Sequence, residues 1–335
     1  MNTLLLDHVR QLLAKEGWTP GPESALESAL ADPAEEAVER IERGQEVPPH
    51  LEDALEAIVL PKLRPVFDIK DDTFAPLPNP WTELNNRRTA LKQIIRGIGR
   101  VDAPGIPYPY AGTAFLVGKD VLLTNRHVAE IFTDGLGVKN LRFKSGLQPE
   151  IDLKQEIGST SEVLVKIKET LLIHPHWDAA LLRVEGLPAS RRPLLLAGSE
   201  VPQPVGRLVA AIGYPALDPR NDIDLQKRIF RVFEKKRLQP GRLMASRQIV
   251  SFNNTVEALA HDCSTLGGNS GSAVIDIETG LAVGLHFAGR YLEANFAVPA
   301  WELALDSRVV DFGVQFANPP NPKPSRDWLS RWAAL

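Results

Sequence analysis

The pattern of apolar and turn-forming residues from Tyr110 onward is the feature that most limits the fold of the chain. Short apolar runs follow one another, each ended by Gly, Pro, Asn or Asp. This pattern is typical of an all-β sandwich or barrel. Residues 113–117 and 121–124 flank a Gly-Lys-Asp turn and are predicted to form a hairpin. The clearest further strands are predicted at residues 163–167, 180–184, 208–213, 273–277 and 281–285.

The residues before this β region follow a different pattern. Up to about residue 60, apolar side chains recur at helical spacing, which predicts packed helices. The Pro-rich residues 75–80 indicate a linker, and a further helix is predicted from Trp81 to Ile98. We therefore predict three parts: an α-helical N-terminal accessory domain with its linker at 1–98, a β domain at 99–310 and a C-terminal tail at 311–335.

Composition argues against several classes of protein. The net charge of −4 provides no basic field, so nucleic-acid binding is not indicated. No run approaches the ~18 apolar residues of a membrane span, and the apolar start is too short for a secretory signal. The single cysteine, Cys263, is interpreted as a buried apolar residue rather than a redox gate, and it cannot form a disulfide within the chain. We expect a cytoplasmic protein that does not bind membranes.

One span departs from this even charge distribution. Residues 218–241 are rich in Lys and Arg within a largely polar stretch. We interpret the span as an exposed, solvated loop or hairpin, and the alternative is a docking patch for an acidic partner or nucleic acid.

The loop around Ser270 carries the strongest chemical signal. Ser270 lies between Gly268 and Gly271, and glycine permits the unusual backbone angles and close substrate approach that such a loop needs. A tight turn there would direct the N–H groups of Gly268 and Ser270 at one point, where an oxyanion could bind. The alternative is a Gly-Ser surface turn. A nucleophilic serine also requires a base, and that base requires a carboxylate.

His127 and Asp178 supply both partners. His127 follows a predicted strand, and an imidazole, which ordinarily titrates near pH 6.5, suits a general base. Asp178 precedes the apolar run at 180–184 and would orient the imidazole. Asp152 is the fallback acid, although no comparable apolar run follows it.

A metal site is the competing interpretation of this segment, because His174 and His176 lie close to Asp178. Pro175 separates the two histidines, and the sequence holds no other His or Cys cluster that would complete a site. We therefore expect neither a metal nor an organic cofactor.

The three candidates occur in the order His, Asp, Ser, which differs from the order in subtilisin and in the α/β-hydrolases. The gaps of 51 and 92 residues leave room for several strands but for no long crossover helices. The blocks Thr-Asn-Arg-His-Val, Asp-Ala-Ala-Leu-Leu and Gly-Asn-Ser-Gly-Ser resemble the signature blocks of the chymotrypsin-like serine peptidases, over about residues 105–305. The resemblance implies two antiparallel six-stranded β-barrels, an acyl-enzyme on Ser270, and a protein or peptide substrate.

Within that family, the pocket segment is similar to the bacterial glutamyl endopeptidases. In that subgroup a Thr five residues before the serine and a His on a late strand bind an acidic side chain, and Thr265 and His286 match both. The alternative is that His286 only hydrogen-bonds within the barrel. The resemblance implies a substrate pocket formed by Ser264, Thr265, His286, Phe287 and Gly289.

Asn269 departs from the zymogen-activated members, in which an Asp before the serine pairs with a freed N-terminus. Asparagine cannot form that ion pair, so we expect the β domain to be active as made or switched by other means. The resemblance also suggests that the helical extension binds a regulatory protein in a bacterial defence or signalling module. Its alternative role is structural support of the β domain. The rival class for the whole chain is a noncatalytic protein-binding module on the same fold.

Overall fold

The structure is a computed structural model, and it describes residues 64–218, 223–290, 294–321, 323 and 326–335, together with the single positions 36 and 40. The predicted accessory helices before residue 60 therefore lie almost wholly outside the described residues. None of the helices in the described part of the chain is long and apolar enough to span a membrane.

Short strands dominate the described residues, as the sequence predicts. The strands are β1 Phe67–Asp68, β2 Ile98–Asp102, β3 Gly112–Leu116, β4 Val121–Thr124, β5 Thr133–Asp134, β6 Arg142–Phe143, β7 Glu150–Asp152, β8 Leu164–Ile173, β9 Ala180–Glu185, β10 Leu196–Ala197, β11 Leu208–Gly213, β12 Arg237–Ser251, β13 Asn254–His261, β14 Ala273–Asp276, β15 Ala282–Arg290, β16 Ala294–Pro299 and β17 Phe316–Ala317. The helices are α1 Glu83–Asn86, α2 Arg88–Arg96, α3 Arg126–Phe132, α4 Ile223–Phe230, α5 Ala300–Ala304, α6 Ser307–Asp311 and α7 Arg326–Ala333.

Six strands close into an antiparallel barrel in the order β2, β3, β4, β9, β8 and β7. The predicted hairpin is present as β3 and β4, with Phe115 opposite Leu123. Successive strand residues face opposite sides. Leu116 and Leu122 accordingly belong to the core inside this barrel, whereas Phe115 and Leu123 pack into the larger apolar core shared with the second sheet. Both faces of β3 and β4 are thus buried, which explains why their apolar runs are continuous.

The second sheet has nine strands, three more than the six-stranded barrel expected from the resemblance. Its main path runs β14, β11, β12, β13, β16, β15, β10 and β17, while β14 also pairs with β15. The additional members are the two-residue strands β1, β10 and β17. They enlarge the sheet because backbone groups at its edges accept further antiparallel or parallel partners.

The segment that leads into the first barrel packs against this sheet. Trp81, Leu84 and Leu91 are buried in the same core as the strands of the second sheet. The Pro-rich stretch contains buried Leu77, whose backbone N–H and C=O both bind the Asn85 side chain, at 2.9 and 3.0 Å. The helix predicted from Trp81 to Ile98 is present as α1 and α2, which Arg87 separates, but it ends at Arg96, and Ile98 is the first residue of β2. The three-part division of the chain stays a prediction.

The expectation that residues 218–241 form an exposed loop is wrong at Lys236 and Arg237, which are fully buried. Lys236 Nζ donates to the carbonyls of Ile95 and Leu153, at 3.1 and 2.9 Å, and lies 3.5 Å from Glu156. Burial lowers the pKa of Lys236 to about 8, although Glu156 opposes the shift. Lys236 and Arg237 donate to buried acceptors where the two sheets meet. The polar residues around them in the sequence do not predict this buried role.

Candidate active site

His127 and Asp178 meet where two paired strands of the barrel end. Thr124, the last residue of β4, lies opposite Ala180, the first residue of β9. His127 is the second residue of α3, just after β4, and its Nδ1 lies 2.7 Å from Asp178 Oδ2. The backbone N–H of His127 donates to Asp178 Oδ1 at 3.0 Å. This double contact fixes the imidazole against a buried carboxylate while leaving the imidazole side chain 38% exposed.

A further contact from the same turn holds Asp178. Asn125, which is fully buried, donates its Nδ2 proton to the backbone carbonyl of Asp178 at 2.9 Å. The carboxylate is therefore aimed by contacts on both its side chain and its backbone. The fallback acid Asp152 holds a turn instead, since its Oδ1 accepts the N–H groups of Lys154 and Val163 at 2.8 and 3.1 Å.

Ser270 lies in the loop between β13 and β14, pressed against the barrel strands that lead to His127. The N–H of Thr113 donates to the Ser270 carbonyl at 2.8 Å. The Thr113 carbonyl in turn accepts from Thr124 Oγ1 at 2.7 Å. Within the described residues the Ser270 hydroxyl makes no hydrogen bond. In such sites the bond between serine and histidine often tightens only when substrate binds.

The loop is also tied to the late strand that carries His286. The N–H of Gly271 donates to the His286 carbonyl, and the N–H of His286 donates to the Ser272 carbonyl, both at 2.9 Å. Gly271 has φ +91°, and a Cβ there would collide with the carbonyl oxygen of Thr113. Glycine is thus required at 271 by backbone angle and by space.

The two predicted oxyanion donors are free to bind. Among the described residues, neither the N–H of Gly268 nor that of Ser270 donates a hydrogen bond. Gly268 has φ +82°, and a Cβ there would collide with the Tyr110 hydroxyl and the Tyr214 carbonyl oxygen. Tyr110 Oη itself donates to that carbonyl at 2.5 Å. Both N–H groups therefore remain available to an oxygen that carries negative charge in a reaction.

Asn269 anchors this loop from inside the second sheet. Its Oδ1 accepts from Gln239 Nε2 at 2.9 Å and from Ser272 Oγ at 3.3 Å, and both amide side chains are fully buried. A Cβ at Gly213 would collide with Ser272 Oγ, so the neighbouring strand β11 leaves room for the anchor. A neutral amide pair therefore holds the loop at the position where an ion pair operates in the zymogen-activated relatives. Sequence reasoning did not find Gln239, because it lies in a strand far from every motif.

Two of the predicted pocket residues, Thr265 and Gly289, are brought together at Asn295, which sequence reasoning missed. Thr265 Oγ1 donates to Asn295 Oδ1 at 2.6 Å, and Gly289 lies opposite Asn295 in the pairing of β15 with β16. Ser264 Oγ donates to the carbonyl of Arg64 at 2.7 Å, so the segment before the barrel contacts the same wall. Asn295 belongs to no motif, so nothing in the local sequence pointed to it.

His286 is buried behind this wall, and its Nδ1 lies 3.3 Å from Nε2 of the buried His261. Burial, assisted by the nearby His127, lowers the pKa of His286 to about 3. Burial also brings the pKa of His261 well below its ordinary value, with smaller contributions from His286 and Arg64. Both rings are therefore neutral at physiological pH. The remaining predicted pocket residue, Phe287, is 8% exposed and packs into the apolar core.

The family follows from comparison with known proteins. The family model for a trypsin-like peptidase domain matches residues 112–285, the segment that contains all three candidate residues. The chain belongs to this family. It is a serine endopeptidase, as the sequence resemblance predicts. A probable serine protease from Lysobacter enzymogenes is 29% identical, in an alignment that covers 73% of this chain and 72% of the relative.

Solved structures include similar chains at lower identity. The crystal structure of Deg5 is 20% identical with a TM-score of 0.47, and the alignment covers 67% of this chain and 92% of that one. The active form of the Rv3671c protease from M. tuberculosis is 18% identical with a TM-score of 0.47, and the alignment covers 77% of this chain and 96% of that one.

Proposed function

We propose that this endopeptidase cleaves peptide bonds through His127, Asp178 and Ser270. The observation that carries the proposal is the double contact of His127 with Asp178, at 2.7 Å to the side chain and 3.0 Å to the backbone N–H. A carboxylate in this position keeps the imidazole proton on Nδ1, so Nε2 is free to accept a proton. The buried Asp178 also stabilises the imidazolium that forms during the reaction.

The proposed reaction has two halves. In the first, His127 Nε2 takes the Ser270 hydroxyl proton while Oγ bonds to the substrate carbonyl carbon. The C–N bond then breaks, and the proton passes to the leaving amine. In the second, His127 takes a proton from water while the water oxygen bonds to the acyl carbon; the ester bond to Ser270 Oγ then breaks, the acid product leaves, and His127 gives its proton to Oγ. The N–H groups of Gly268 and Ser270 bind the oxyanion in both halves, and each donor of this kind contributes about 2.7–4 kcal/mol.

A substitution that preserves shape tests the triad. In Asp178→Asn the amide NH2 can donate a hydrogen bond to Nδ1, which favours the wrong imidazole tautomer, so kcat for a peptide substrate should fall by about 10⁴-fold. The circular dichroism spectrum and melting temperature show whether the variant is folded. A folded Asp178→Asn enzyme with nearly full kcat would rule out Asp178 as the triad acid. A folded wild-type chain that cleaves no peptide would favour the noncatalytic binding module.

We further propose that the enzyme prefers acidic residues before the cut, as a glutamyl-endopeptidase-like member of the family. Neutral His286 would donate its Nε2 proton to the substrate carboxylate. That tautomer requires His261 Nε2 to donate to His286 Nδ1, and the 3.3 Å separation allows it. The Thr265 hydroxyl, now donating to Asn295, would turn toward the same carboxylate.

A buried cation supports this preference. Arg64 is 6% exposed, and it lies near enough to His261 to lower the pKa of that ring. A free N-terminal amine serves the glutamyl subgroup, and Arg64 offers a fixed positive charge from the segment that precedes the barrel. The negative charge of Asp262 acts on the same guanidinium and partly offsets its positive charge. A carboxylate bound at His286 would thus meet positive potential from behind the pocket wall.

Cleavage products from a proteome digest test the preference directly. Enrichment of Glu and Asp before the cut, lost in His286→Leu but kept in a surface variant such as Gln248→Leu, would support it. A digest in which acidic residues are no commoner before the cut than in the proteome would exclude it. The result also reports activity, so an inactive enzyme and an unselective one are told apart.

We also propose that the protein works in the cytoplasm and that its N-terminal extension binds a regulatory protein, in a defence or signalling module. The single cysteine and the family resemblance support this proposal. Because residues 67–98 pack into the core, the extension should be removed only up to about residue 60. If the extension is regulatory, the shortened chain folds and cleaves without a trigger, whereas aggregation of that chain would assign the extension a structural role.

A further inference from the structure

A buried histidine organises the turn that presents Asp178. His174 is fully buried, and its Nδ1 accepts the backbone N–H groups of His176 and Trp177 at 3.1 and 3.0 Å. The backbone N–H of His174 donates to the Ala179 carbonyl at 2.9 Å. The His174 side chain therefore holds the turn just before Asp178, and the His174 backbone N–H closes it just after Asp178. The sequence raised His174 as a metal ligand, but its Nδ1 is fully occupied by the turn.

The other nitrogen of the ring faces the C-terminal part of the chain. His174 Nε2 lies 3.3 Å from Asp306 Oδ2, close enough for electrostatic attraction, although the two groups are not aligned as a hydrogen bond. Asp306 is fully buried and caps α6, since its Oδ1 accepts the Arg308 N–H at 3.0 Å. Its Oδ2 accepts from Trp332 Nε1 at 2.8 Å. The rings of Trp328 and Trp332, both on α7, lie 5.5 and 5.3 Å from the His174 ring.

These contacts fix the protonation state of His174. Because Nδ1 accepts two N–H groups, it carries no proton, and the ring proton sits on Nε2 toward Asp306. Burial lowers the pKa of His174; Asp306 opposes the shift, while Arg308 and Arg126 add to it. These charged groups, with His176 on the same turn, are the titratable neighbours that face the ring. A proton on Nδ1 would repel both backbone donors and open the turn.

We propose that α7 is a positioning element for the triad acid: through Asp306 and His174 it holds the turn that places Asp178 against the imidazole. The helix begins 41 residues beyond the segment that matches the family model, so the family match does not account for its contacts. The proposal rests on the proposed function, because its kinetic test uses the peptidase reaction. His174 and the α7 tryptophans touch no substrate and act only through Asp178.

Two substitutions of His174, each made in the full-length enzyme, remove its contact with Asp306 and its contact with the turn separately. In His174→Asn the amide oxygen stands near the position of Nδ1, which keeps the acceptor for the turn but loses the reach to Asp306. In His174→Gln the longer amide reaches toward Asp306 but provides no acceptor at Nδ1. We expect His174→Gln to lower kcat roughly 10- to 100-fold with KM nearly unchanged, since a small displacement of Asp178 misaligns the triad. In His174→Asn kcat should fall by less, because the acceptor for the turn is kept.

The pH–rate profile distinguishes positioning from support alone. An imidazolium that loses its carboxylate neighbour is less stable, so the acidic limb of kcat/KM should move to lower pH in His174→Gln. Trp332→Phe keeps the ring and removes only the N–H to Asp306, so it should shift the limb in the same direction by less. Leu329→Ala, at a 40% exposed position on the same helix, is the matched control and should change neither.

A measurement that needs no catalysis completes the test. A histidine N–H held by a carboxylate gives a proton NMR signal far downfield, and His127 Nδ1–H should give one in the wild type and in Leu329→Ala. The signal should be lost or shifted in His174→Gln and shifted less in Trp332→Phe. Folded His174→Gln and Trp332→Phe chains with the wild-type signal would overturn the proposal, whether or not the enzyme cleaves peptides. A lower melting temperature with an unmoved acidic limb and signal would likewise reduce α7 to structural support.

Discussion

The neutral pair of Gln239 and Asn269 leads to a prediction about the oxyanion donors. In Gln239→Leu, Asn269 Oδ1 loses its 2.9 Å donor and keeps only the 3.3 Å contact with Ser272. Asn269 Nδ2 already has no partner among the described residues, so the side chain would be nearly unsatisfied. Leaving a buried acceptor without its partner costs about 1–3 kcal/mol.

This cost can appear either as a loss of stability or as a loss of catalytic activity. If the loop stays in place, the melting temperature falls. If the loop moves to regain a partner, the N–H groups of Gly268 and Ser270 no longer point at the oxyanion. In that case kcat falls by about 5- to 150-fold for the same 1–3 kcal/mol. KM should change little, because these donors act mainly on the transition state. We expect the second outcome, since Asn269 is the residue between the two donors.

The assay is kcat and KM on a peptide substrate, with the free energy of unfolding measured in urea. Gln248→Leu, an exposed position on the same strand β12, is the matched control and should behave as wild type. A double-mutant cycle with Asn269→Leu measures whether the two amides act as a pair, since removing both should destabilise less than the sum of the single changes. Unchanged kcat and unchanged stability in Gln239→Leu, or strict additivity in the cycle, would refute the reasoning.

Three further predictions concern single residues. Gly268→Ala should lower kcat by about 10²- to 10³-fold, because the new Cβ would collide with the Tyr110 hydroxyl and displace one oxyanion donor; full activity would contradict the assignment. The free energy of unfolding should be highest above about pH 6.5 and should decline as pH falls toward 3, since His286 has a pKa of about 3 in the fold and binds a proton readily only when unfolded. His286→Gln should flatten that decline, and an equally steep one would contradict it. Cys263 is buried, which raises its thiol pKa, so a thiol reagent should modify it only after unfolding; rapid labelling of the native chain would be the contrary result.

Local pattern was sufficient for four of the six strands that build the barrel, namely β3, β4, β8 and β9. The hairpin of β3 and β4 was predictable, because a turn between two apolar runs is decided within a dozen residues. The two-residue strands β1, β10 and β17 were not, since each exists only by pairing with a distant strand. Lys236 was misjudged for a related reason: its partners are the carbonyls of Ile95 and Leu153, which lie far from it in sequence.

The candidate site likewise contains residues that short motifs predict and residues that only long-range contacts reveal. His127 and Asp178 lie within short motifs, and the structure brings them into contact, as the sequence predicts. Ser270 is tied to the same strands through Thr113, while its role in catalysis stays a proposal. The residues that hold the site in place were not found, because they are ordinary polar side chains that become informative only through long-range contacts. These are Asn125, Gln239, Asn295 and Arg64.

The central claim is that His127 activates Ser270 as the nucleophile. A fluorophosphonate reacts with such a serine and forms a stable covalent bond, so it reports the nucleophile without requiring the natural substrate. The proposed mechanism predicts one adduct per chain, placed on Ser270 by peptide mass spectrometry, absent in Ser270→Ala and formed far more slowly in His127→Ala. A folded wild-type chain that is not labelled, or that is labelled at another residue, would contradict the claim.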